Sequence, residues 1–134
     1  MNVPLLDLRP QYRSIQRDID DAVARVHELG NYVMGEHVQA FEAAWADYCK
    51  ARYCVGVSSG SDAIYLALRS LGLGQADVHC PAFTFIGTLE PAVRAEYMPV
   101  LHDVGLDANM LWPTTIINRS HVYLPVSLYG CPVA

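Results

Sequence analysis

The chain has 134 residues, the usual length of one domain, and 52% of them are apolar, enough to form a hydrophobic core. Its 9 basic and 14 acidic residues give a net charge of −5, which excludes the basic surface that nucleic acids or anionic membranes require. No apolar run approaches the roughly 20 residues of a membrane span, and the first residues do not form a secretory signal, so we expect a cytoplasmic protein.

Two amphipathic helices are predicted in the first fifty residues. Apolar residues recur every three or four positions from Tyr12 to Leu29, which is the spacing of one helical face. Gly30 then suits the position just after a helix end. The same apolar spacing returns from Val38 to Tyr48 and predicts the second helix.

Strands and helices alternate in the rest of the chain. A β-type run at 53–57 leads through a polar turn into helical spacing that ends near Leu71. Further strands are predicted at 78–80, 98–102 and 122–126, a helix at 84–95 and a loop at 105–120. Pro91 lies inside the last helix, where it removes one hydrogen bond. Alternating strands and helices predict an α/β fold with a parallel sheet.

The four cysteines are predicted to be buried free thiols. They lie in or beside apolar runs, and nothing in the sequence indicates an oxidising compartment. Their spacing lacks the close pairs that are typical of zinc sites, so we expect no metal centre. These residues are Cys49, Cys54, Cys80 and Cys131.

The polar turn before the third predicted helix has the pattern of an anion site. Such a turn points backbone N–H groups at one spot, where the helix dipole adds partial positive charge. Gly60 allows a close approach of the backbone, and Ser61 offers its hydroxyl group. The N–H groups of Asp62 and Ala63 are expected to be free donors. A second interpretation is that Ser59 or Ser61 only caps the helix, and the residues alone do not decide between the two.

The same turn also fits a serine hydrolase. Residues 56–60 match the G-x-S-x-G pattern, which would make Ser58 a nucleophile at the end of a strand. Asp103 or Asp107 and then His121 follow in the Ser, Asp, His order of that fold. The pattern is short and common, and 134 residues leave little room for the large hydrolase sheet. The hydrolase is therefore the lesser alternative.

Five segments of the chain occur in the order found in one enzyme family. They read VPLLDLRPQYRSIQRDIDDAV, GNYVMGEHVQAFEAAWADYC, VGVSSGSDAIYLALRSLGLG, CPAFTFIGT and LPVSLYGCPVA. Together they resemble the DegT/DnrJ/EryC1/StrS family of nucleotide-sugar aminotransferases, which depend on pyridoxal phosphate. The resemblance extends from Val3 to Ala134 and weakens only between about Gly105 and Val122. It implies an incomplete PLP-transferase type I large-domain fold, with a mostly parallel sheet flanked by helices.

The resemblance also implies a cofactor site. We expect one truncated domain over 1–134, with amino-terminal helices in 1–50 and part of a cofactor-binding sheet in 51–134. In the family the corresponding turn binds the phosphate of pyridoxal phosphate, which places Gly60, Ser61 and Asp62 on the cofactor. Ser61 stands where threonine is usual, and the hydroxyl is kept. The aromatic residue that stacks on the pyridine ring corresponds to Phe85.

Residues needed for catalysis are missing from these 134 residues. Transamination requires an amine that bonds to the cofactor and a carboxylate at the pyridine nitrogen. The one lysine is Lys50, which lies upstream of the turn and is expected to be exposed. In the family the lysine, the carboxylate and a glutamine follow the segment that here ends at Ala134, and Ser127 and Cys131 replace its usual histidine and glutamine. We expect a domain that binds pyridoxal phosphate weakly at most and does not transaminate alone.

Two further alternatives are a chain that works with a partner and a chain that has no function. In the family fold, the strand that enters the phosphate turn pairs with a strand from much later in the chain, so 53–57 is expected to lack its partner and to invite pairing with another chain. Because the family's sites form between two subunits, a homodimer or a complementing carboxy-terminal polypeptide is expected, with a nucleotide sugar bound only in the complete enzyme. The shortened stretch 103–121 instead favours a nonfunctional gene remnant.

Overall fold

A computed structural model describes residues 4–74, 76–105, 121–130 and 132 of the chain. Cys131 and most of the predicted loop at 105–120 lie outside the described residues. The chain forms two compact units, Met1–Gly56 and Val57–Ala134, each with its own internal contacts.

The first unit begins with helix α1, which spans Arg9–Leu29. It ends at Gly30, whose φ of 63° is the left-handed conformation that glycine adopts without Cβ strain. The N–H of Gly30 donates to the carbonyl of Val26 at 3.0 Å, which satisfies one carbonyl of the last turn. The predicted helix and its glycine end are confirmed. No residue of α1 is buried, so its apolar stripe is exposed.

Helix α2 spans Glu36–Tyr48 and confirms the second predicted helix. The segment that follows corrects the next prediction, because 53–57 forms no strand. Its β-type side chains favour an extended backbone, but a strand also requires a neighbour to complete its ladder. Instead, the N–H of Gly56 donates to Glu42 Oε1 on α2 at 2.6 Å.

The second unit contains a three-stranded parallel sheet. Its strands are β1 (Asp77–Pro81), β2 (Met98–His102) and β3 (His121–Tyr123), in the order β2-β1-β3. The prediction for β2 is confirmed, whereas the strand predicted at 122–126 is three residues long and ends earlier. The N–H of Leu124 still donates to the carbonyl of His79 at 2.8 Å, and Pro125, which has no N–H, then stops the ladder.

Two helices cover one face of this sheet. Helix α3 spans Gly60–Leu71, and α4 spans Ile86–Arg94, two residues later at its start than the sequence predicts. The core between the helices and the sheet consists of Leu68, Ala76, Val78, Ala92, Ala95 and Tyr97. The Tyr97 hydroxyl donates to the carbonyl of Leu68 at 3.0 Å, so the buried phenol is satisfied. The predicted α/β fold with a parallel sheet and flanking helices is confirmed.

The cysteines partly correct their prediction. The three described cysteines are free thiols, as expected. Cys80 is buried on β1, but Cys54 is half-buried and Cys49 is exposed just after α2. Cys49 follows the last turn of a surface helix, where apolar neighbours in sequence do not ensure burial. None of the helices in the described ranges is both long enough and apolar enough to cross a bilayer.

Candidate functional site

The polar turn predicted as an anion site forms the start of α3. Ser59 is the N-cap, with extended backbone, and its hydroxyl accepts the N–H of Asp62 at 3.1 Å. The N–H of Ala63 donates to the carbonyl of Ser59 at 3.0 Å. The prediction that the N–H groups of Asp62 and Ala63 are free is therefore wrong, because the cap and the first helical bond satisfy both donors. The capping interpretation of Ser59 is confirmed.

The free N–H donors lie two residues earlier than predicted. Within the described part of the chain, the backbone N–H groups of Gly60 and Ser61 have no hydrogen-bond partner. A Cβ atom built on Gly60 has no neighbouring atom within 4 Å, so the backbone is open at this position. Two unpaired N–H groups at the positive end of a helix dipole can together hold an anionic oxygen.

The hydroxyl of Ser61 reaches across to α4. It donates to the carbonyl of Gly87 at 3.4 Å. In a regular helix this carbonyl would accept the N–H four residues later, but that residue is Pro91, which has no N–H. The buried proline that interrupts α4 therefore frees a carbonyl for Ser61. The contact with Ser61 partly offsets the helical hydrogen bond that Pro91 was predicted to remove.

The side chains of Ser61 and Phe85 both lie beside the backbone of Gly87. A Cβ atom built on Gly87 would lie 2.6 Å from Phe85 Cε1 and 2.8 Å from Ser61 Oγ, closer than real Cβ atoms approach. Only glycine lets both side chains lie here. Phe85 is the N-cap residue of α4 and is 73% exposed, so its ring offers an accessible face. Sequence reasoning missed Gly87, although a glycine two residues after Phe85 was the available signal.

Asp62 is held by a polar network. Its carboxylate accepts hydrogen bonds from the hydroxyls of Ser58 and Ser59 and pairs with the Arg94 guanidinium at 2.5 Å. The hydrogen bond from Ser58, followed by the one from Arg94, holds the pKa of Asp62 below its usual value. The same pairing raises the pKa of Arg94, whose guanidinium lies 4.1 Å from the centre of the Tyr65 ring. The network fixes the turn to both α3 and α4, and no local sequence pattern indicates the role of Arg94.

The hydrolase interpretation finds no support in these contacts. The Ser58 hydroxyl donates to Asp62, and no histidine among the described residues is its hydrogen-bond partner. His121, the base expected by that interpretation, contacts Asp77 and His79 on the sheet. The segment before Ser58 is also not a strand, as the nucleophile elbow requires.

Comparison with known proteins places the chain in a family. The model of the DegT/DnrJ/EryC1/StrS aminotransferase family matches residues 13–134. The chain is 39% identical over 97% of its length to dTDP-3-amino-3,4,6-trideoxy-alpha-D-glucose transaminase of Streptomyces venezuelae. It is 42% identical over 98% of its length to the erythromycin biosynthesis sensory transduction protein EryC1 of Saccharopolyspora erythraea. It covers 36% of the first relative and 37% of the second, little more than a third of each.

Solved structures give the same result. S. venezuelae DesV superposes on 98% of the chain with a TM-score of 0.85 at 36% identity, and the chain covers 37% of DesV. NtdA of Bacillus subtilis, solved with bound cofactor PMP, superposes on 96% of the chain with a TM-score of 0.82 at 29% identity, and the chain covers 31% of it. The expected family resemblance and the expected partial large-domain fold of pyridoxal-phosphate transferases are both confirmed.

Proposed function

Since the chain belongs to the DegT/DnrJ/EryC1/StrS aminotransferase family, we propose that it binds pyridoxal phosphate at the start of α3. Gly60 and Ser61 hold the phosphate through their N–H groups and the Ser61 hydroxyl. Phe85 lies against the pyridine ring. Asp62, the remaining residue of the predicted cofactor site, fixes the turn through its bonds to Ser58 and Arg94. The observation that carries the proposal is the meeting of Ser61 and Phe85 at Gly87.

The described residues fit the chemical groups of this cofactor. A phosphate requires several converging donors, and the free N–H groups and hydroxyl at the start of α3 supply them. An aromatic ring requires a flat apolar surface, and Phe85 offers an exposed one beside those donors. When bound, pyridoxal phosphate supplies an electron sink for the removal of a proton beside an amine. The residues of this chain bind the phosphate, orient the ring and cover one of its faces.

We further propose that these 134 residues do not transaminate by themselves. Their one amine side chain is Lys50, whose ammonium is 3.4 Å from Asp47 Oδ1 and whose side chain is 81% exposed. Catalytic lysines are activated by desolvation or by a neighbouring cation, whereas Lys50 is solvent-exposed and pairs with a carboxylate. Its role is that of an ordinary surface residue.

A second candidate function is one part of a two-chain enzyme in the cytoplasm. The segment 53–57 has β-type residues but forms no strand in the structure, which favours a strand partner supplied by another chain. A complementing carboxy-terminal polypeptide or a second copy of this chain would provide that strand, and the complete enzyme would act on a nucleotide sugar. Mixing this chain with the remaining two-thirds of the S. venezuelae transaminase tests the idea, because recovered transamination requires both pieces.

Equilibrium dialysis against pyridoxal phosphate tests the main proposal. All variants carry Lys50→Arg, which removes the only side-chain amine that can react nonspecifically with the aldehyde. Ser61→Ala and Phe85→Ala are expected to weaken binding several-fold each, and inorganic phosphate is expected to compete. Ser70→Ala is the matched control, because Ser70 lies near the other end of α3 and donates only to the Ala67 carbonyl. Equal binding by all four proteins would refute the site.

A further inference from the structure

The sheet face opposite the core carries a cluster of histidines. Side chains alternate between the two faces of a strand, so the buried Val78 and Cys80 of β1 face the helices while Asp77 and His79 face the other way. In the parallel register Asp77 lies beside His121 of β3. The rings of His79 and His121 have centroids 4.7 Å apart.

One nitrogen of this cluster has no partner. His79 is 8% exposed, and its Nε2 is buried without a hydrogen bond from the described residues. Its Nδ1 lies 2.6 Å from Nε2 of His102 at the end of β2, so that side of the ring is engaged. A buried polar atom without a partner is rare in native proteins, and a bound ion is one of the explanations for such an atom.

Potential ligand atoms from three residues lie close together beside the His79 ring. One ligand atom each from Asp77, His79 and His121 lie within 4.8 Å of one another, and His121 Nε2 is 3.7 Å from Asp77 Oδ2. Zinc bonds of about 2.0–2.2 Å in a tetrahedron place neighbouring ligand atoms roughly 3.4 Å apart. Asp77 and His121 are half-exposed, so small rotations of their side chains would bring the ligand atoms to the separations that a zinc ion requires.

We propose that Asp77, His79 and His121 form a binding site for one divalent transition-metal ion of the Zn²⁺ type. Two imidazoles and one carboxylate are a ligand set that such ions accept, with water at the fourth position. His79 Nδ1 is hydrogen-bonded to His102 Nε2. The proposed site uses the tautomer in which His79 Nδ1–H donates to His102, because that tautomer leaves Nε2 free for the ion. The ion links β1 to the three-residue β3. The expectation of no metal centre rested on the spacing of the cysteines, which carries no information about Asp77, His79 and His121.

Zn²⁺ titration of the full chain in competition with a chromophoric chelator tests this site. The protein is prepared without a histidine tag. One Zn²⁺ per chain is expected, with at least tenfold weaker binding for His121→Gln and for Asp77→Asn. His37→Gln is the control, since His37 is an exposed histidine of α2, and its affinity is expected to equal the wild type. Far-UV circular dichroism checks that each variant is folded. Asp77 and His121 are chosen because they are half-exposed, whereas substitution of the buried His79 could prevent folding.

Two further readouts separate this site from the cysteines. Co²⁺ is expected to give visible d–d bands without the thiolate charge-transfer band that cysteine ligands produce. Zn²⁺ is expected to raise the midpoint of thermal unfolding in the wild type and not in Asp77→Asn, because ligands that bind the folded state stabilise it. The proposal is overturned if no stoichiometric ion binds, if a thiolate band accompanies Co²⁺, or if both substitutions leave the affinity unchanged.

Discussion

Replacing Gly87 by alanine separates the fold from the proposed cofactor site. The new Cβ would lie 2.6 Å from Phe85 Cε1, about 0.8 Å inside the 3.4 Å at which ordinary contact begins, and 2.8 Å from Ser61 Oγ. Phe85 is 73% exposed, so its ring can turn outward without crossing a packed core. The expected result is a displaced ring and a shifted hydroxyl in a protein that still folds.

Gly87→Ala is expected to change the free energy of cofactor binding more than the free energy of unfolding. Alanine in place of glycine stabilises a helix by about 0.5–1 kcal/mol, and the crowding costs about 1–3 kcal/mol before the ring moves. The net change in unfolding free energy is therefore expected to stay within about 1 kcal/mol. Loss of ring stacking and of one hydroxyl contact removes about 1–3 kcal/mol of binding free energy, so pyridoxal phosphate is expected to bind about five- to a hundredfold more weakly.

A double-mutant cycle tests the mechanism. Dialysis against pyridoxal phosphate is compared for Gly87→Ala, Phe85→Ala and the double variant, all with Lys50→Arg. If Gly87→Ala acts mainly by displacing the ring, the double variant binds little more weakly than Phe85→Ala alone. Additive losses in the cycle, or wild-type binding by Gly87→Ala, would refute the reasoning. Urea unfolding of the same proteins reports whether the fold is unaffected.

Two further predictions concern the second unit. The pKa of Asp62 is held below its usual value, so the stabilisation from its bonds is fully present above about pH 4 and is lost as the pH falls through the lower folded pKa. Asp62→Asn is expected to flatten the loss of stability below about pH 4, and an unchanged slope in urea unfolding over that range would contradict this. Tyr97→Phe removes the 3.0 Å bond to the Leu68 carbonyl and is expected to cost about 1 kcal/mol in urea unfolding, whereas no loss would mean that water satisfies that carbonyl.

Local patterns predicted the parts of the fold that depend on neighbours in sequence. The end of α1 at Gly30 required only the apolar period and one glycine, and β2 required only a short apolar run. The start of α3 after a Ser/Gly turn was similarly local. The segment 53–57 shows the limit of such patterns, because β propensity is a property of the residues whereas a ladder depends on a distant strand.

The details of the candidate site were less predictable because they depend on tertiary contacts. The pair of Arg94 with Asp62 joins residues 32 positions apart, and no local pattern relates them. The choice of free donors at the start of α3 depended on whether Ser59 turned back to the N–H of Asp62. The contact of Ser61 with Gly87 depended on how α3 and α4 pack.

The long Ser61 contact bears on ligand selectivity. At 3.4 Å the hydrogen bond to the Gly87 carbonyl is weak, while a charged oxygen accepts a shorter and roughly twice as strong a bond. A neutral acceptor therefore gains little by displacing the carbonyl, and an anion gains considerably more. Serine, which lacks the methyl group that stiffens threonine, can exchange one acceptor for the other by a rotation about χ1. If the turn binds the phosphate as proposed, this exchange favours charged oxygens over neutral ones before any other part of the ligand is recognised.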